Sequence, residues 1–342
     1  MCESPQYVQT SLAAAITLKL ARGRFMEGVE LHGLNLLLTY ATGCVARCSY
    51  CGLAQSRQAI GDNPTFIRVD WPAFPLQEVL ERTRTVRHAL ERACVSMVTH
   101  PRAFHDCLVV AGQVRSRTGL LVSVLLAPPS VPGREGLQAL RAVGVDKVSV
   151  AVDAATPALF DRHRGSGVRG QLDWDSYWRL LEQSVEVFGR GNAGVHLIVG
   201  LGETEQEMVS TIQKAHDQGA ATHLFSFFPE EGSALADSLQ PGLGTYRRVQ
   251  LARLLIDEGI LNASSLVFNQ AGQIADFGLD VVPFLQDGRA FTTSGCAGPS
   301  GAVACNRPYG NERPSRPFRN FPFKPTVQHL EMVAQQLGEG LE

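Results

Sequence analysis

The sequence predicts an α/β fold, a partial (βα)6 barrel with an extension at each end. Three observations carry this expectation. From about residue 34 to 260, short apolar runs alternate with amphipathic stretches of helical period. The runs are apolar at consecutive positions, as in parallel strands covered on both faces. Glycines stand at the joints: Gly119, Gly144 and Gly219 each fall where a helix must stop before the next strand.

In chain order the strand candidates are Leu34–Tyr40, Ala93–Val98, Leu120–Leu126, Lys147–Val152, Ala193–Val199 and His223–Phe227. Helices are expected near Leu76–Ala89, Phe104–Ser116, Glu135–Val143, Trp174–Phe188, Glu203–Asp217 and Gly244–Glu258. Six units over about 220 residues fall short of a closed eight-unit barrel, so a partial barrel or an open parallel sheet fits better. This divides the chain into an N-terminal extension (1–33), the barrel (34–260) and a C-terminal extension (261–342).

A helix is expected over Val8–Arg22 in the first extension, and a small hairpin over Val267–Ile274 in the last, around Asn269-Gln270-Ala271-Gly272. Residues 291–325 are rich in Gly, Pro, Asn and Arg and have no period. They also hold Tyr309, Phe318, Phe321 and Phe323, which favours a functional loop packed on the barrel over a free linker.

The chain has 342 residues, is 44% hydrophobic and carries a formal net charge of −2. That composition excludes a disordered chain, and the charge offers no bulk field for nucleic acid or an anionic membrane. The N-terminal apolar stretch Leu12–Leu20 is broken by Lys19 and lacks a cleavage site, and no run approaches the ~20 apolar residues of a membrane span. A cytoplasmic location is therefore expected. The eight cysteines are too sparse for a disulfide framework and read better as metal ligands or catalytic thiols.

Three of them stand in Cys44-Val-Ala-Arg-Cys48-Ser-Tyr-Cys51, directly after the first strand. Thiolates converging from one loop select an iron–sulfur cluster or zinc. Structural zinc favours a second Cys pair at matching spacing, and none follows. Three ligands on a four-iron cluster leave one iron open to an amino and a carboxylate group.

Cys-x3-Cys-x2-Cys with an aromatic residue before the last Cys resembles the signature of radical S-adenosylmethionine (SAM) enzymes. The resemblance implies a partial TIM-like barrel, and a [4Fe–4S] cluster on Cys44, Cys48 and Cys51 that binds SAM and cleaves it to a 5′-deoxyadenosyl radical. It also implies that Tyr50 packs near the adenine. Asp153, ending Ser149-Val-Ala-Val-Asp153, resembles the carboxylate that holds the SAM ribose, although it serves equally well as the N-cap of a helix at Pro157.

His196-Leu-Ile-Val-Gly200-Leu-Gly202-Glu203 resembles the strand-five motif that supports the adenine. Gly200 and Gly202 would allow close approach, with Glu203 in the first turn of the next helix. His196 itself reads as a core histidine. The family often places a Gly-Gly-Glu-type segment after strand two to bind the SAM amino group. Here Ser96-Met-Val-Thr-His-Pro101 stands instead, leaving Thr99 or backbone carbonyls as substitutes.

Cys94 lies in a segment similar to the strand-two segment of biotin synthases, whose cysteine ligates a second, sulfur-donating cluster. A small buried apolar role is the alternative. Cys296 and Cys305, each beside Gly or Pro in irregular chain, are expected to ligate an auxiliary [4Fe–4S] cluster, with Cys94, Ser294 or another group completing the shell. Cys2 and Cys107 are not expected to be ligands. Arg307, Arg313, Arg316, Arg319 and Lys324 form a basic group that could engage an acidic carrier protein or simply face solvent.

Taken with Phe225-Ser-Phe-Phe-Pro-Glu and Val98-Thr-His-Pro, the tail resembles that of the two-component lipoyl synthases. This implies sulfur insertion into octanoyl-lysine of a lipoyl carrier protein, with a sister radical SAM protein and an external electron donor as partners. A biotin synthase-like reaction on a free small molecule is the alternative, and a non-catalytic iron–sulfur or zinc scaffold is a third reading.

Overall fold

The computed structural model describes every residue except 1, 27, 55–56, 58–64, 67–68, 308–316 and 342. Its main sheet holds eight strands: β1 (Tyr7–Thr10), β2 (Gly33–Leu38), β3 (Ala73–Pro75), β4 (Arg92–Ser96), β5 (Leu121–Leu126), β6 (Val145–Asp153), β7 (Ala193–Val199) and β8 (Ala221–Ser226). From β2 through β4, β5, β6 and β7 to β8, six strands run parallel in chain order. This is the expected (βα)6 arrangement. Strands β1 and β3 add antiparallel to its first edge.

The helices between the parallel strands are α2 (Leu76–Thr85), α3 (Ala103–Thr118), α4 (Gly133–Ala142), α5 (Pro157–Arg164), α6 (Trp174–Phe188) and α7 (Glu205–Gln218), with α8 (Leu243–Asp257) after β8. The glycine stops are real: Gly119 and Gly219 end α3 and α7 in the left-handed conformation that L side chains avoid. The core lies between sheet and helices, where Val95, Val122, Val150, Val195, Leu181 and Ile212 are sealed from solvent.

Three local expectations change. Val8–Arg22 is not one helix: residues 7–10 pair with Leu36–Leu38 and with β3, and only Leu12–Thr17 is helical, capped by the Ser11 hydroxyl, which accepts from the Ala14 N–H. The helix at Pro157 is present as α5, but its N-cap is Thr156 rather than Asp153. Glu203 precedes α7 instead of opening it, because Thr204 forms the capping box with Glu207. The small hairpin is present, Val267–Phe268 pairing with Ile274–Asp276.

The C-terminal segment packs on the barrel as expected. Buried Phe318, Phe321 and Phe291 form a second apolar cluster with Leu251 and Leu255 of α8 and with Val333 of the last helix (Val327–Leu337). Arg247 donates to the Phe318 and Arg319 carbonyls, and Arg248 to those of Leu337 and Glu339. Among the described residues no helix is long and apolar enough to cross a membrane.

Candidate active site and a second thiol cluster

At the C-terminal ends of the parallel strands lies a cavity of about 190 Å³, open to solvent at one side and lined mostly by apolar side chains. Cys44, Cys48, Cys51, Tyr50, Thr99 and Asp153 all line it. The loop that carries the thiols leaves β2 and is fixed from three sides. Val45 N–H donates to the Thr99 carbonyl at 2.9 Å, and Ser49 N–H to the His163 carbonyl at 2.9 Å. The Leu53 N–H reaches Cys51 Sγ at 3.4 Å.

His163 ties this loop to the one after β7. Its Nε2 lies 2.9 Å from the Leu201 carbonyl, which can only accept, so Nε2 carries the proton. In the neutral ring Nδ1 then accepts from the Ser49 hydroxyl at 2.8 Å. Burial lowers the His163 pKa and favours that neutral form.

Asp153 sits at φ +65°, a conformation costly for a residue other than glycine and concentrated at functional sites. Tyr50 donates its hydroxyl to Asp153 Oδ2 at 2.6 Å, and Arg164 Nη1 stands 3.2 Å from the same oxygen. The buried Arg164 also donates to the Ala151 and Val152 carbonyls and to the Tyr177 hydroxyl, and stacks over the Tyr177 ring at 4.8 Å. Its Nε is buried without a partner. Burial drives the Cys48 and Cys51 thiols upward, and Arg164 opposes the rise at Cys48. Among the described residues, no three Cys, His, Asp or Glu side chains converge closely enough for one metal ion. Thiols set around a cavity wall suit a multi-iron cluster better than a zinc ion.

Gly200 and Gly202 hold φ of +108° and +112°, and a Cβ on Gly200 would sit 2.7 Å from Pro241. Glu203 fastens this turn: its carboxylate accepts from the Gly200 N–H at 2.6 Å and the Leu201 N–H at 2.9 Å. Burial outweighs those bonds and raises its pKa to about 7. Gly200 and Glu203 shape the turn rather than line the cavity.

A profile of the radical SAM superfamily matches residues 38–215. The chain belongs to the radical SAM superfamily. Among solved structures, this radical SAM protein resembles HydG, a maturase of the [FeFe]-hydrogenase, at 12% identity and a TM-score of 0.52 over 72% of this chain and 53% of that one. It also matches the radical SAM methyltransferase TsrM from Kitasatospora setae with TM-scores of 0.39 and 0.41 at 17% and 15% identity. Those matches cover 72% and 84% of this chain, and 43% and 57% of TsrM. The chain thus spans about half the length of these proteins, and the likeness to HydG is one of fold. No curated protein matches it. The family implies a [4Fe–4S] cluster and SAM, and the residues fit both. Three thiols share one wall, with an aromatic ring, a carboxylate and a buried guanidinium beside them.

Below the cavity, inside the opposite end of the barrel, three more thiols gather: Cys94, Cys296 and Cys305. Cys296 and Cys305 occupy a small turn in which Ala304 and Cys305 N–H groups both donate to the Cys296 carbonyl. Arg92 anchors the turn, donating to the Ala297 carbonyl at 2.9 Å while forming a bidentate pair with Asp146. Gly33 lets the segment approach β2, since a Cβ there would lie 2.7 Å from the Ala304 carbonyl oxygen.

Cys94, mid-strand in β4, lies beside Cys305, and Asn35 Nδ2 reaches the Cys305 sulfur at 3.6 Å. The neighbouring Cys94 thiol, with Arg307, Asn35 and Arg92, pulls the Cys305 pKa down, while the proximity of Cys305 and burial push Cys94 up.

Ser294 is otherwise engaged, its hydroxyl accepting from the Leu224 N–H at 2.7 Å. The basic group also turns inward: Arg307 lies over the Phe225 ring at 4.4 Å and donates to the Ser294 carbonyl, and Arg319 is buried and donates to Pro241. Lys324 is exposed, while Tyr309, Arg313 and Arg316 lie outside the described residues. Cys2 is exposed and Cys107 is sealed in α3, its pKa pushed up to about 12 by burial.

The sequence reading missed Arg164 and His163. Their signal was the run Arg162-His163-Arg164, which reads as ordinary positive charge at a helix C-terminus.

Proposed function

We propose that this radical SAM protein inserts sulfur into an unactivated aliphatic chain, octanoyl-lysine on a lipoyl carrier protein, as one component of a lipoyl synthase pair. The observation that carries the reading is the second thiol set of Cys94, Cys296 and Cys305 beneath the cavity. When bound, SAM and its cluster supply an oxidant for an aliphatic C–H bond, and an auxiliary iron–sulfur cluster supplies sulfide.

Cys44, Cys48 and Cys51 would hold the first cluster. Asp153 offers a carboxylate to the ribose hydroxyls, Arg164 a cation to the SAM carboxylate, and Tyr50 a ring for the adenine. Cys94, Cys296 and Cys305 would hold the auxiliary cluster, where Arg92 and Arg307 favour thiolate. The walls suit a hydrocarbon chain: Leu37, Met97, Leu125, Leu126, Ile198 and Phe227 exclude water from the site.

The test is anaerobic turnover with SAM, dithionite and an octanoyl-lysyl peptide, with and without a candidate sister protein and followed by peptide mass. Sulfur added to the peptide supports the reading. Sulfur added to dethiobiotin and not to peptide replaces it with the small-molecule reaction. No 5′-deoxyadenosine under any condition leaves a scaffold role.

A further inference from the structure

Three thiols leave an iron–sulfur cluster short of ligands, and among the described residues few groups stand beside them; Ser123, next to Cys94 and Cys296, donates its hydroxyl to the Ala93 carbonyl at 3.4 Å. Ser294 is spent on the Leu224 backbone. Arg92 is committed to Asp146 and Ala297. Asn35 already donates to Cys305.

His223 differs. It projects from the middle of β8 into the same chamber, and its Nε2 lies 3.9 Å from Cys296 Sγ. Gly194 on the neighbouring strand makes room for it, since a Cβ there would press to 2.9 Å from Nε2. Its imidazole is buried in the barrel. Its ring also meets His196, which lines the cavity, edge to face at 5.4 Å.

The spacing says more. Two ligands on one tetrahedral metal, with metal–sulfur near 2.3 Å and metal–nitrogen near 2.1 Å, stand about 3.6 Å apart. Cys296 and His223 are close to that separation, and Cys94 lies beside Cys305. No three of these groups meet at a single point. Two close pairs without a common centre describe ligands to two different metals of a polynuclear cluster.

We propose that His223 Nε2 is a ligand of the auxiliary iron–sulfur cluster and shares an iron with Cys296. This rests on the reading above that Cys94, Cys296 and Cys305 hold such a cluster. An imidazole in place of a thiolate raises the cluster potential, as two histidines do in Rieske centres.

The experiment uses full-length protein with Cys44, Cys48 and Cys51→Ala, reconstituted anaerobically so that only the auxiliary site can hold iron. Pulsed electron paramagnetic resonance of the reduced protein, with natural-abundance and 15N-labelled histidine, should show a strongly coupled nitrogen that scales with the isotope. His223→Cys in this background should keep its iron, lose the nitrogen coupling and shift the potential downward. His196→Gln should retain the coupling.

Iron without nitrogen coupling, or coupling that survives in His223→Cys, overturns the histidine assignment and leaves the cluster standing. Absence of iron in the triple variant overturns both.

Discussion

Arg164→Met should disorganise the cavity wall, and by a magnitude that the geometry sets. The guanidinium faces Asp153 at 3.2 Å, with the two side chains 8% and 13% exposed. At an effective dielectric of about 20, that separation is worth about 5 kcal/mol before desolvation. Removing one partner of a buried pair typically costs about 3–5 kcal/mol, because the other charge is left uncompensated. Met keeps the volume but also removes the donors to the Ala151 and Val152 carbonyls at the end of β6. The expected destabilisation is therefore about 3–5 kcal/mol.

Asp153→Asn should cost less, about 1–3 kcal/mol, since Arg164 keeps its carbonyl acceptors. The decisive quantity is the double variant. If the pair is coupled, its loss falls short of the sum of the singles by at least about 1 kcal/mol, within the range for contacting residues. Urea unfolding followed by tryptophan fluorescence gives each value, with midpoints compared at unchanged slope. Additivity within about 0.5 kcal/mol would show that the two side chains do not act on one another, and the account of this wall would be wrong.

Cys94→Ala should lower the iron bound by the reconstituted chain, whereas Cys107→Ala should leave iron content unchanged; iron and sulfide analysis separates them. Glu203→Gln should flatten the pH dependence of stability. The folded chain keeps the Glu203 proton up to about 7 while the unfolded chain releases it near 4.5, so stability present below 4.5 is lost as pH rises to 7, and the Gln variant lacks that loss. Urea midpoints across this window check it. Arg248→Met removes a buried pair with Glu205 at 2.6 Å, together with the donors to Leu337 and Glu339. The expected cost is about 3–5 kcal/mol, and limited proteolysis should cut the last helix first.

The barrel was legible because its signal is local. Each strand is an apolar run and each helix a 3.6-residue period, several of them stopped by glycine, and none of this depends on distant partners. The N-terminal strand was not legible. Residues 7–10 are extended because Leu36–Leu38 and Ala73–Pro75 bond them from both sides, partners the local pattern cannot reveal. The three-thiol loop announced itself by spacing alone. The second thiol set could not, since Cys94 meets Cys305 across more than 200 positions and only the fold joins them. Arg164 hid for a related reason: its sequence context is that of an exposed helix end, and burial alone turns it into part of the site.

The positions of the two thiol sets bear on the proposed insertion. Hydrogen abstraction alone needs one cluster at the C-terminal ends of the strands and a dry wall opposite it. Nothing in that chemistry asks for thiols at the other end of the barrel, or for the Arg92–Asp146 pair, the Gly33 approach and the Arg247 contacts that hold the C-terminal segment against it. An insertion does ask for them, because the carbon radical must find its sulfur before solvent finds the radical. His196 and Phe225 form the floor between the two sites, and the His196 ring touches both Phe225 and His223. A substrate chain lying against that floor would have the oxidant on one side and the sulfur source on the other.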